Sequence, residues 1–194
     1  MTPLNAATLN PLACASLPAH LKHIVLAGFM GAGKSTVGRL LAARTGWAFL
    51  DLDSHLEARA GATIPQLFER HGEARFRRLE STALASALAV PRTILALGGG
   101  APEALTNRLL IEQTPGTFTI FLDAPFPNLF DRCMLQDIAR PLLLDPVAAE
   151  ERFARRHPLY ARLAQLTVDT ADLTPEGTVE TILTAVNQPG DSRS

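Results

Sequence analysis

The chain has 194 residues, of which 47% are hydrophobic and 19% charged. This length predicts a single domain, since domains take about 150 residues, and the composition excludes a wholly disordered chain. Eighteen Lys and Arg residues against nineteen Asp and Glu residues leave a net charge of −1, which excludes a protein that coats nucleic acid. The two cysteines, Cys14 and Cys133, form no disulfide scaffold and indicate a reducing compartment.

Residues 1–20 precede the first predicted strand, and we interpret them as a flexible leader. They contain no Lys or Arg, so the basic segment of a secretory signal is missing. No apolar run approaches the roughly 20 residues that cross a bilayer. We therefore expect a cytoplasmic monomer that binds neither membranes nor nucleic acid, with its folded domain at 21–188 and a tail at 189–194.

Short apolar runs with strand character alternate with helical periodicity along the chain. The predicted strands are Ile24–Ala27, Ala48–Leu50, Thr93–Leu97, Thr117–Leu122 and Leu166–Val168. Strands that are separated by helices form a parallel sheet covered on both faces. Ligands of such sheets bind beyond the carboxyl ends of the strands, and we expect the functional site at that edge.

Helices are predicted between the strands from periodicity and capping residues. The first follows strand one and stops at Thr45–Gly46, and the second starts at Ser54, whose spacing to Glu57 is that of a capping box. The other predicted helices cover 64–71 and 74–88, begin at Pro102–Glu103, and follow Thr174. Pro158 is expected to break a helix.

A glycine-rich loop follows the first predicted strand directly. Gly28–Thr36 reads GFMGAGKST and fits the pattern G-x-x-x-x-G-K-[ST] between a strand and a helix. The backbone N–H groups of such a loop form an anion nest at a positive helix end. A glycine-rich turn without a ligand is the alternative, but the flanking strand and helix favour nucleotide binding. We therefore predict that ATP and Mg²⁺ are bound by Gly31, Ala32, Gly33, Lys34, Ser35 and Thr36.

Within this loop, two side chains have separate predicted tasks. Lys34 supplies a mobile positive charge for the β- and γ-phosphates, and Ser35 supplies a hydroxyl ligand for Mg²⁺.

Asp51 and Asp53 follow the second strand, where an extended backbone would point both carboxylates to one side. Asp is also common in loops, and this alternative stays open. Beside a phosphate loop, the two carboxylates can have separate roles, one near the metal and the other near the acceptor hydroxyl.

Arginines and glycines are the candidates for binding the phosphate acceptor. Arg75, Arg77 and Arg78 fall within one predicted helix and cannot all share one face, so some must lie at the solvent. Gly98–Gly100 closes the third strand and lets a ligand approach the backbone, although a tight turn explains it too. Arg156 is a further candidate, just before the proline expected to end its helix.

Residues 136–146 have weak periodicity and helix breakers at both ends, as a mobile lid would. Arg140 lies in this segment, and we place the lid at about 133–146. The predicted fold class is therefore α/β: a P-loop NTPase-like three-layer α/β/α fold with a central parallel five-stranded sheet and this lid.

In this order, the motifs resemble those of the shikimate kinase family: a phosphate loop, then D-x-D, F-R, G-G-G, R-P-L-L and R-x-P-L-Y. The match covers roughly residues 22–187. The motifs stand at Gly28–Thr36, Asp51–Asp53, Phe76–Arg77, Gly98–Gly100, Arg140–Leu143 and Arg156–Tyr160. Singly the short motifs are weak, but their joint order is specific. The resemblance implies transfer of the γ-phosphoryl group of ATP to the 3-hydroxyl of shikimate, in aromatic amino-acid biosynthesis.

The resemblance also implies roles for residues that bind the acceptor. Asp53 would hold the shikimate hydroxyls and act as a base. Arg77 and Arg156 would bind the carboxylate, and arginine suits this task because it offers two parallel hydrogen bonds. The backbone would contact the ring substituents at Gly98, Gly99 and Gly100.

On the phosphate side, the resemblance implies that Asp51 acts near Mg²⁺ together with Ser35. Arg140 would close over the phosphates from the lid, so that the catalytic residues are Lys34, Asp53 and Arg140. One position departs from the family pattern: where members often carry a second arginine near the adenine, this chain has Cys133, with Arg132 beside it. This leaves the adenine contacts open.

Two alternative functions use the same scaffold. Another small-molecule kinase, such as one acting on gluconate, would differ only in the acceptor site. The residues that distinguish the two kinases are therefore Arg77, Gly98–Gly100 and Arg156. The other alternative is a ligand sensor without turnover, typically joined to a DNA-binding module. The short segment before the first strand is too small for such a module, and Lys34, Ser35 and Asp51 are intact.

Overall fold

The computed structural model describes residues 15–135 and 145–188. The motif Arg140–Leu143 and most of the predicted lid therefore lie outside the described residues, as do residues 1–14 and the tail 189–194. Near the start of the described chain, the N–H of Ala15 donates to the carbonyl of Arg44 at 2.7 Å. Leu17 packs against the hydrophobic core.

Parallel strands form one five-stranded sheet in the order β2-β3-β1-β4-β5. The strands are β1 (His23–Ala27), β2 (Ala48–Asp51), β3 (Thr93–Ala96), β4 (Thr117–Asp123) and β5 (Leu166–Asp169). Every residue of β1 and of β3 is buried, as expected for strands that helices cover on both faces. The predicted parallel sheet and three-layer α/β/α fold are confirmed.

Helices follow the strands in the alternating order that the sequence predicts. Their bounds are α1 (Lys34–Thr45), α2 (Leu52–Ala60), α3 (Ile64–Leu88), α4 (Leu105–Gln113), α5 (Phe126–Leu135), α6 (Pro146–Leu163) and α7 (Pro175–Asn187). The predicted ends at Gly46 and Thr174 are confirmed: Gly46 terminates α1 with φ 69°, and the Thr174 side chain caps α7. Across residues 15–135 and 145–188, no helix has both the length and the apolar character that a membrane crossing requires.

The predicted start of the second helix at Ser54 is wrong. α2 begins at Leu52, and its cap is Asp51, whose Oδ1 accepts from the backbone N–H of Ser54 at 3.3 Å. Asp51 is therefore the last residue of β2 and the cap of α2 at once, and Asp53 lies in the first helical turn. The side chain that caps the free N–H groups of the first turn is that of Asp51, three residues before Ser54, which the capping-box spacing indicated.

Other helix boundaries also differ from the predictions. The predicted helices at 64–71 and 74–88, by contrast, are confirmed as two segments of α3 that meet at a kink at Gly72, whose φ of 68° and ψ of 171° are not helical. The segment at Pro102 forms a short 3-10 turn, Ala101–Glu103, and α4 begins two residues later. Pro158 does not break α6. The buried side chains of Tyr160 and Leu163 anchor the helix beyond the proline, and such packing outweighs the one hydrogen bond that proline removes.

Parallel pairing brings the loops after β1, β2 and β3 to the same edge of the sheet. β1 pairs with β3 on one side and β4 on the other, while β2 pairs with β3. The chain therefore places β2 and β3 on one side of β1 and then crosses to β4 on the other side. Such a reversal in strand order is the switch point at which α/β sheets bind ligands. The phosphate loop, Asp51 and Gly98–Gly100 all lie at this edge.

Candidate active site

The phosphate loop has the backbone conformation that its glycines permit. Gly28, Gly31 and Gly33 have φ values of 148°, 80° and 83°, which other residues rarely adopt. A Cβ atom on Gly31 would lie 2.3 Å from the carbonyl oxygen of Leu129, so this glycine also allows the loop to pack against α5. The first turn of α1 contains no acidic residue, and no side chain caps its Gly33 N-cap. The positive helix end is therefore available to an anion.

Lys34 folds back over the loop that precedes it. Its Nζ donates to the carbonyl oxygens of Gly28 at 3.0 Å and Phe29 at 2.9 Å. These bonds hold the ammonium group beside the loop backbone rather than in the solvent. A cation at this position complements the charge of a bound polyphosphate.

Ser35 and Asp51 join the phosphate loop to the end of β2. Ser35 Oγ donates to Asp51 Oδ2 at 2.7 Å, so a hydroxyl and a carboxylate oxygen lie side by side. Mg²⁺ prefers oxygen ligands and commonly keeps several waters, with one or two protein ligands and the substrate phosphates. The donor set of this pair therefore fits the predicted metal.

Asp53 lies close to the glycine turn after β3. A Cβ atom on Gly98 would come within 2.3 Å of Asp53 Oδ1, so only glycine leaves room for this carboxylate. Asp51 and Asp53 line the same cavity, but the predicted extended backbone is confirmed only for Asp51 and is wrong for Asp53. The first turn of α2, rather than a continuing strand, carries Asp53 to this position.

The carboxylates and the acceptor-side arginines open onto one inner cavity of about 210 Å³. Its polar lining includes Lys34, Ser35, Asp51, Asp53, Arg77, Glu80 and Arg156, with backbone from Gly99 and Gly100. The cavity is small, and six of the fourteen residues around it are charged. It thus combines the phosphate loop with the residues predicted to bind the acceptor.

Arg77 of α3 and Arg156 of α6 meet at Gly100. A Cβ atom on Gly100 would lie 2.9 Å from Arg77 Nη1 and 3.2 Å from Arg156 Nη2. Arg77 Nη1 also donates to the Gly100 carbonyl at 3.2 Å. Arg75 and Arg78, by contrast, are exposed, which confirms that only part of the arginine cluster leaves the solvent.

Three residues around this arginine pair were not predicted. Buried Glu80 accepts from Arg77 Nη1 at 3.1 Å and from Asn107 Nδ2 at 3.3 Å. The Tyr160 hydroxyl donates to the Gly99 carbonyl at 2.6 Å. The third, Glu103, accepts from arginines of both α3 and α6. The spacing of three residues between Arg77 and Glu80 on one helix could have indicated their pair, whereas no local pattern points to Glu103.

Burial and charge shift the pKa of these acids in different directions. Burial raises the pKa of Glu80, because the ion pair with Arg77 offsets the loss of water only in part, and the charge of Asp53 adds to the shift. Burial alone would also raise the pKa of Glu103, but hydrogen bonds from Arg156 and Arg155 and the charges of Arg156 and Arg77 lower it below its usual value. Glu103 therefore carries a negative charge over a wide pH range.

A larger outer cavity of about 830 Å³ lies on the other side of the arginine pair. Arg77 and Arg156 line both cavities, while Glu103 and Arg155 line only the outer one. Phe68 contributes to the walls of both cavities as an apolar surface. The arginine pair thus separates the phosphate-loop side from a wider opening.

A third cleft, of about 160 Å³, adjoins the other side of the phosphate loop. Arg132 lines it together with Thr170, and Arg132 Nη1 donates to Thr170 Oγ1 at 3.2 Å. Cys133 is buried instead, with its Sγ 2.9 Å from where a Cβ atom of Gly31 would lie. Of the two neighbours, Arg132 is the one that lines the cleft. The position of the predicted lid residue Arg140 lies outside the described residues.

Comparison with known proteins relates the chain to one enzyme family. A family model described as shikimate kinase matches residues 30–187. A shikimate kinase of Geobacter sulfurreducens is 41% identical over 176 residues, which cover 89% of this chain and 95% of the relative. A shikimate kinase of Thermobifida fusca is 43% identical over 169 residues, covering 86% of this chain and 96% of the relative.

Solved structures agree in fold over most of the chain. A shikimate kinase from Acinetobacter baumannii in complex with shikimate has a TM-score of 0.78 and 36% identity, covering 86% of this chain and 93% of that chain. The shikimate kinase from Bacteroides thetaiotaomicron has the same TM-score at 30% identity, covering 85% of this chain and 98% of that chain. A gluconokinase from Sinorhizobium meliloti has a TM-score of 0.56 at 18% identity, covering 86% and 92% of the two chains, and this likeness concerns the fold alone.

Proposed function

The chain belongs to the shikimate kinase family, and from this premise we propose that it transfers the γ-phosphoryl group of ATP to the 3-hydroxyl of shikimate. One observation carries this proposal. Lys34 of the phosphate loop, the carboxylate of Asp53 and the arginine pair Arg77 and Arg156 all line the inner cavity. A phosphate donor and a small carboxylate-bearing acceptor can therefore meet in one place.

On the acceptor side, Arg77 and Arg156 bind the shikimate carboxylate. Arginine binds a carboxylate through paired N–H groups, which fixes the orientation of the ligand as well as its charge. In the described part of the chain, the buried Nε of Arg156 has no hydrogen-bond partner, and a buried donor of this kind is costly unless a ligand or water accepts from it. Gly98, Gly99 and Gly100 allow the ring substituents to approach the backbone.

On the donor side, the backbone N–H groups of Gly31–Thr36 and the ammonium of Lys34 bind the phosphates. Arg132 lines the cleft beside the loop, where it would contact the adenine, in the role that the family pattern gives to an arginine one position later. Arg140 closes over the phosphates from the lid. Both arginines place positive charge around the donor.

Ser35 and Asp51 are the residues that would hold Mg²⁺. When bound, the ion neutralises charge on the transferred phosphoryl group. The hydrogen bond between the two side chains keeps the hydroxyl and carboxylate oxygens adjacent.

Asp53 orients the acceptor hydroxyl and takes up its proton. Phosphoryl transfer passes through a loose transition state, so positioning of the two reactants contributes more than strong base catalysis. The tight contact between Asp53 and Gly98 fixes the carboxylate relative to the sheet edge. Closure of the cleft excludes water, which would otherwise compete with the hydroxyl as acceptor.

The direct experiment measures ADP release with shikimate, gluconate or a nucleoside monophosphate as acceptor. We expect turnover with shikimate alone and a product phosphorylated on the 3-hydroxyl. A preference for gluconate or for the nucleotide would contradict the proposal. Tight shikimate binding without a phosphorylated product would instead support the ligand-sensor alternative.

We also propose that the enzyme acts in the cytoplasm as a monomer. The donor is ATP, which is abundant in that compartment. The phosphate loop and the acceptor-side arginines of a single chain line one cavity, so the site needs no residue from a second copy. Sedimentation of the purified protein with and without shikimate would test the oligomeric state. A stable dimer required for activity would contradict the proposed monomer.

A further inference from the structure

Glu103 connects arginines from two helices through one carboxylate. Its Oε2 accepts from Arg77 Nη2 at 2.9 Å and from Arg156 Nη2 at 3.1 Å. Its Oε1 accepts from Arg155 Nη2 at 3.0 Å and Nε at 3.3 Å. A carboxylate of the protein thus already binds the two guanidinium groups that the proposed function assigns to the carboxylate of the substrate.

The terminal nitrogens of Arg77 have no unused donors for a second carboxylate. Nη1 donates to Glu80 at 3.1 Å and to the Gly100 carbonyl at 3.2 Å, while Nη2 donates to Glu103 and, at 3.5 Å, to Glu73. Four acceptors therefore match the four N–H groups that the two terminal nitrogens carry. An incoming carboxylate must replace one of them if it is to bind these nitrogens.

Glu73 is the most exposed acceptor, at 71%, but its bond to Arg77 is 3.5 Å long, whereas Glu103 binds both Arg77 and Arg156. Of the two carboxylates that bind Arg77 closely, Glu103 is easier to replace than Glu80. Glu80 is almost completely buried, with a side-chain exposure of 3%, whereas the side chain of Glu103 is 20% exposed and lines the outer cavity. Arg155 is 66% exposed and already binds the other oxygen of Glu103. When its bond to the arginine pair breaks, Glu103 can retain this second partner and does not become an unpaired buried charge.

We propose, on the basis of the proposed function, that Glu103 is an internal competitor of the substrate: it binds Arg77 and Arg156, and the carboxylate of shikimate displaces it. Glu103 thereby sets the affinity for the acceptor. Its charge also balances part of the positive charge of the arginines, so an anionic ligand meets a partly neutralised site.

The decisive variant is Glu103→Gln, in which the amide oxygen can still accept a hydrogen bond but the charge is lost. We expect the KM for shikimate to fall about three- to fivefold, the scale of a partly exposed ion pair, while kcat and the KM for ATP stay the same. Glu112→Gln, which removes an exposed glutamate of α4, is the matched control and should leave all three constants unchanged. An unchanged or increased KM for shikimate in Glu103→Gln would overturn the proposal, since Glu103 would then only position the arginines.

Two further measurements separate competition from other effects. A shikimate analogue with hydrogen in place of the carboxylate does not need the arginine pair, so its dissociation constant should be the same for the wild type and Glu103→Gln; an equal gain in affinity for shikimate and this analogue would overturn the proposal. Glu103→Ala should also lower the KM for shikimate, and an increase would show that the carboxylate is needed to hold the arginine pair.

Arg156→Lys tests the underlying site: if it leaves the KM for shikimate unchanged, the assignment of the carboxylate site fails. If Arg156→Lys raises the KM and Glu103→Gln does not lower it, only the competition is refuted.

Discussion

Ser35 Oγ donates a 2.7 Å hydrogen bond to Asp51 Oδ2, and the other oxygen of Asp51 accepts from the N–H of Ser54. One carboxylate thus belongs to the candidate metal site and caps α2. Because asparagine caps helices about as well as aspartate, Asp51→Asn should fold normally. The loss of charge should raise the Mg²⁺ concentration needed for half-maximal activity about tenfold.

A Mg²⁺ titration of the initial rate measures this shift. Asp172→Asn is the matched control, since Asp172 is exposed and lies in the loop before α7. If the titration curves of Asp51→Asn and the wild type coincide, Asp51 does not act at the metal.

Asp53→Asn should separate catalysis from folding. The amide is similar in size and can still fit beside Gly98, but it cannot take up the proton of the acceptor hydroxyl. We expect kcat to fall about a hundredfold or more, with little change in the midpoint of thermal unfolding. Near-normal turnover would exclude Asp53 from the catalytic role, and the exposed Asp172→Asn again serves as control.

Arg77→Lys should weaken the binding of shikimate much more than that of ATP. Lysine keeps the charge but loses the planar pair of donors. A loss of about 2 kcal/mol corresponds to an increase of about thirtyfold in the KM for shikimate. Arg78→Lys, at the exposed neighbouring position, should leave this constant unchanged. A KM for shikimate equal to that of the wild type in Arg77→Lys would mean that Arg77 does not contact the carboxylate.

Gly98→Ala tests the contact that fixes Asp53. The added methyl group would lie 2.3 Å from Asp53 Oδ1, so the carboxylate must move away. Misplacement of a reacting group by about 1 Å costs about a hundredfold in rate, and we expect kcat/KM for shikimate to fall on that scale. Gly177→Ala in α7, where the nearest atom would be 3.4 Å away, should have no such effect. Equal activities of the two variants would show that the Gly98 contact does not position Asp53.

Glu80 predicts a particular pH dependence of stability. Its pKa is raised in the folded protein because burial disfavours the charged form. Its contribution to the free energy of unfolding is therefore fully present below the usual pKa of glutamic acid and is lost as the pH rises through the raised value. In Glu80→Gln this titration is absent, so the wild type should lose stability relative to the variant on going from mildly acidic to neutral pH. Urea unfolding over this pH range measures the difference, and a constant difference would contradict the assignment.

The phosphate loop could be predicted in full because its determinants are local. The glycines of Gly28–Thr36 set the backbone, and the strand and helix on either side lie within a few residues of it. The contact of Ser35 with Asp51 was predicted only as a shared metal role. The capping function of Asp51 was missed because the spacing of Ser54 to Glu57 imitates a helix start.

The acceptor site could be predicted only in part. The resemblance to the family selected Arg77 and Arg156, and the structure brings both to Gly100. Arg140 and the lid remain predictions. Glu103 could not be predicted, since its partners on α3 and α6 lie far away in sequence and no periodicity connects a 3-10 turn with them.

The amino-acid sequence by itself determined the alternation of strands and helices, the glycine-rich loop after β1 and the two carboxylates at the end of β2, because each depends on residues a few positions apart. Tertiary structure alone decided that Arg77 meets Arg156 at Gly100 and that Glu103 binds both arginines. These choices depend on how α3 and α6 pack across the loop after β3. Contacts between distant segments arise from the packing of the whole core, and short sequence patterns do not contain that information.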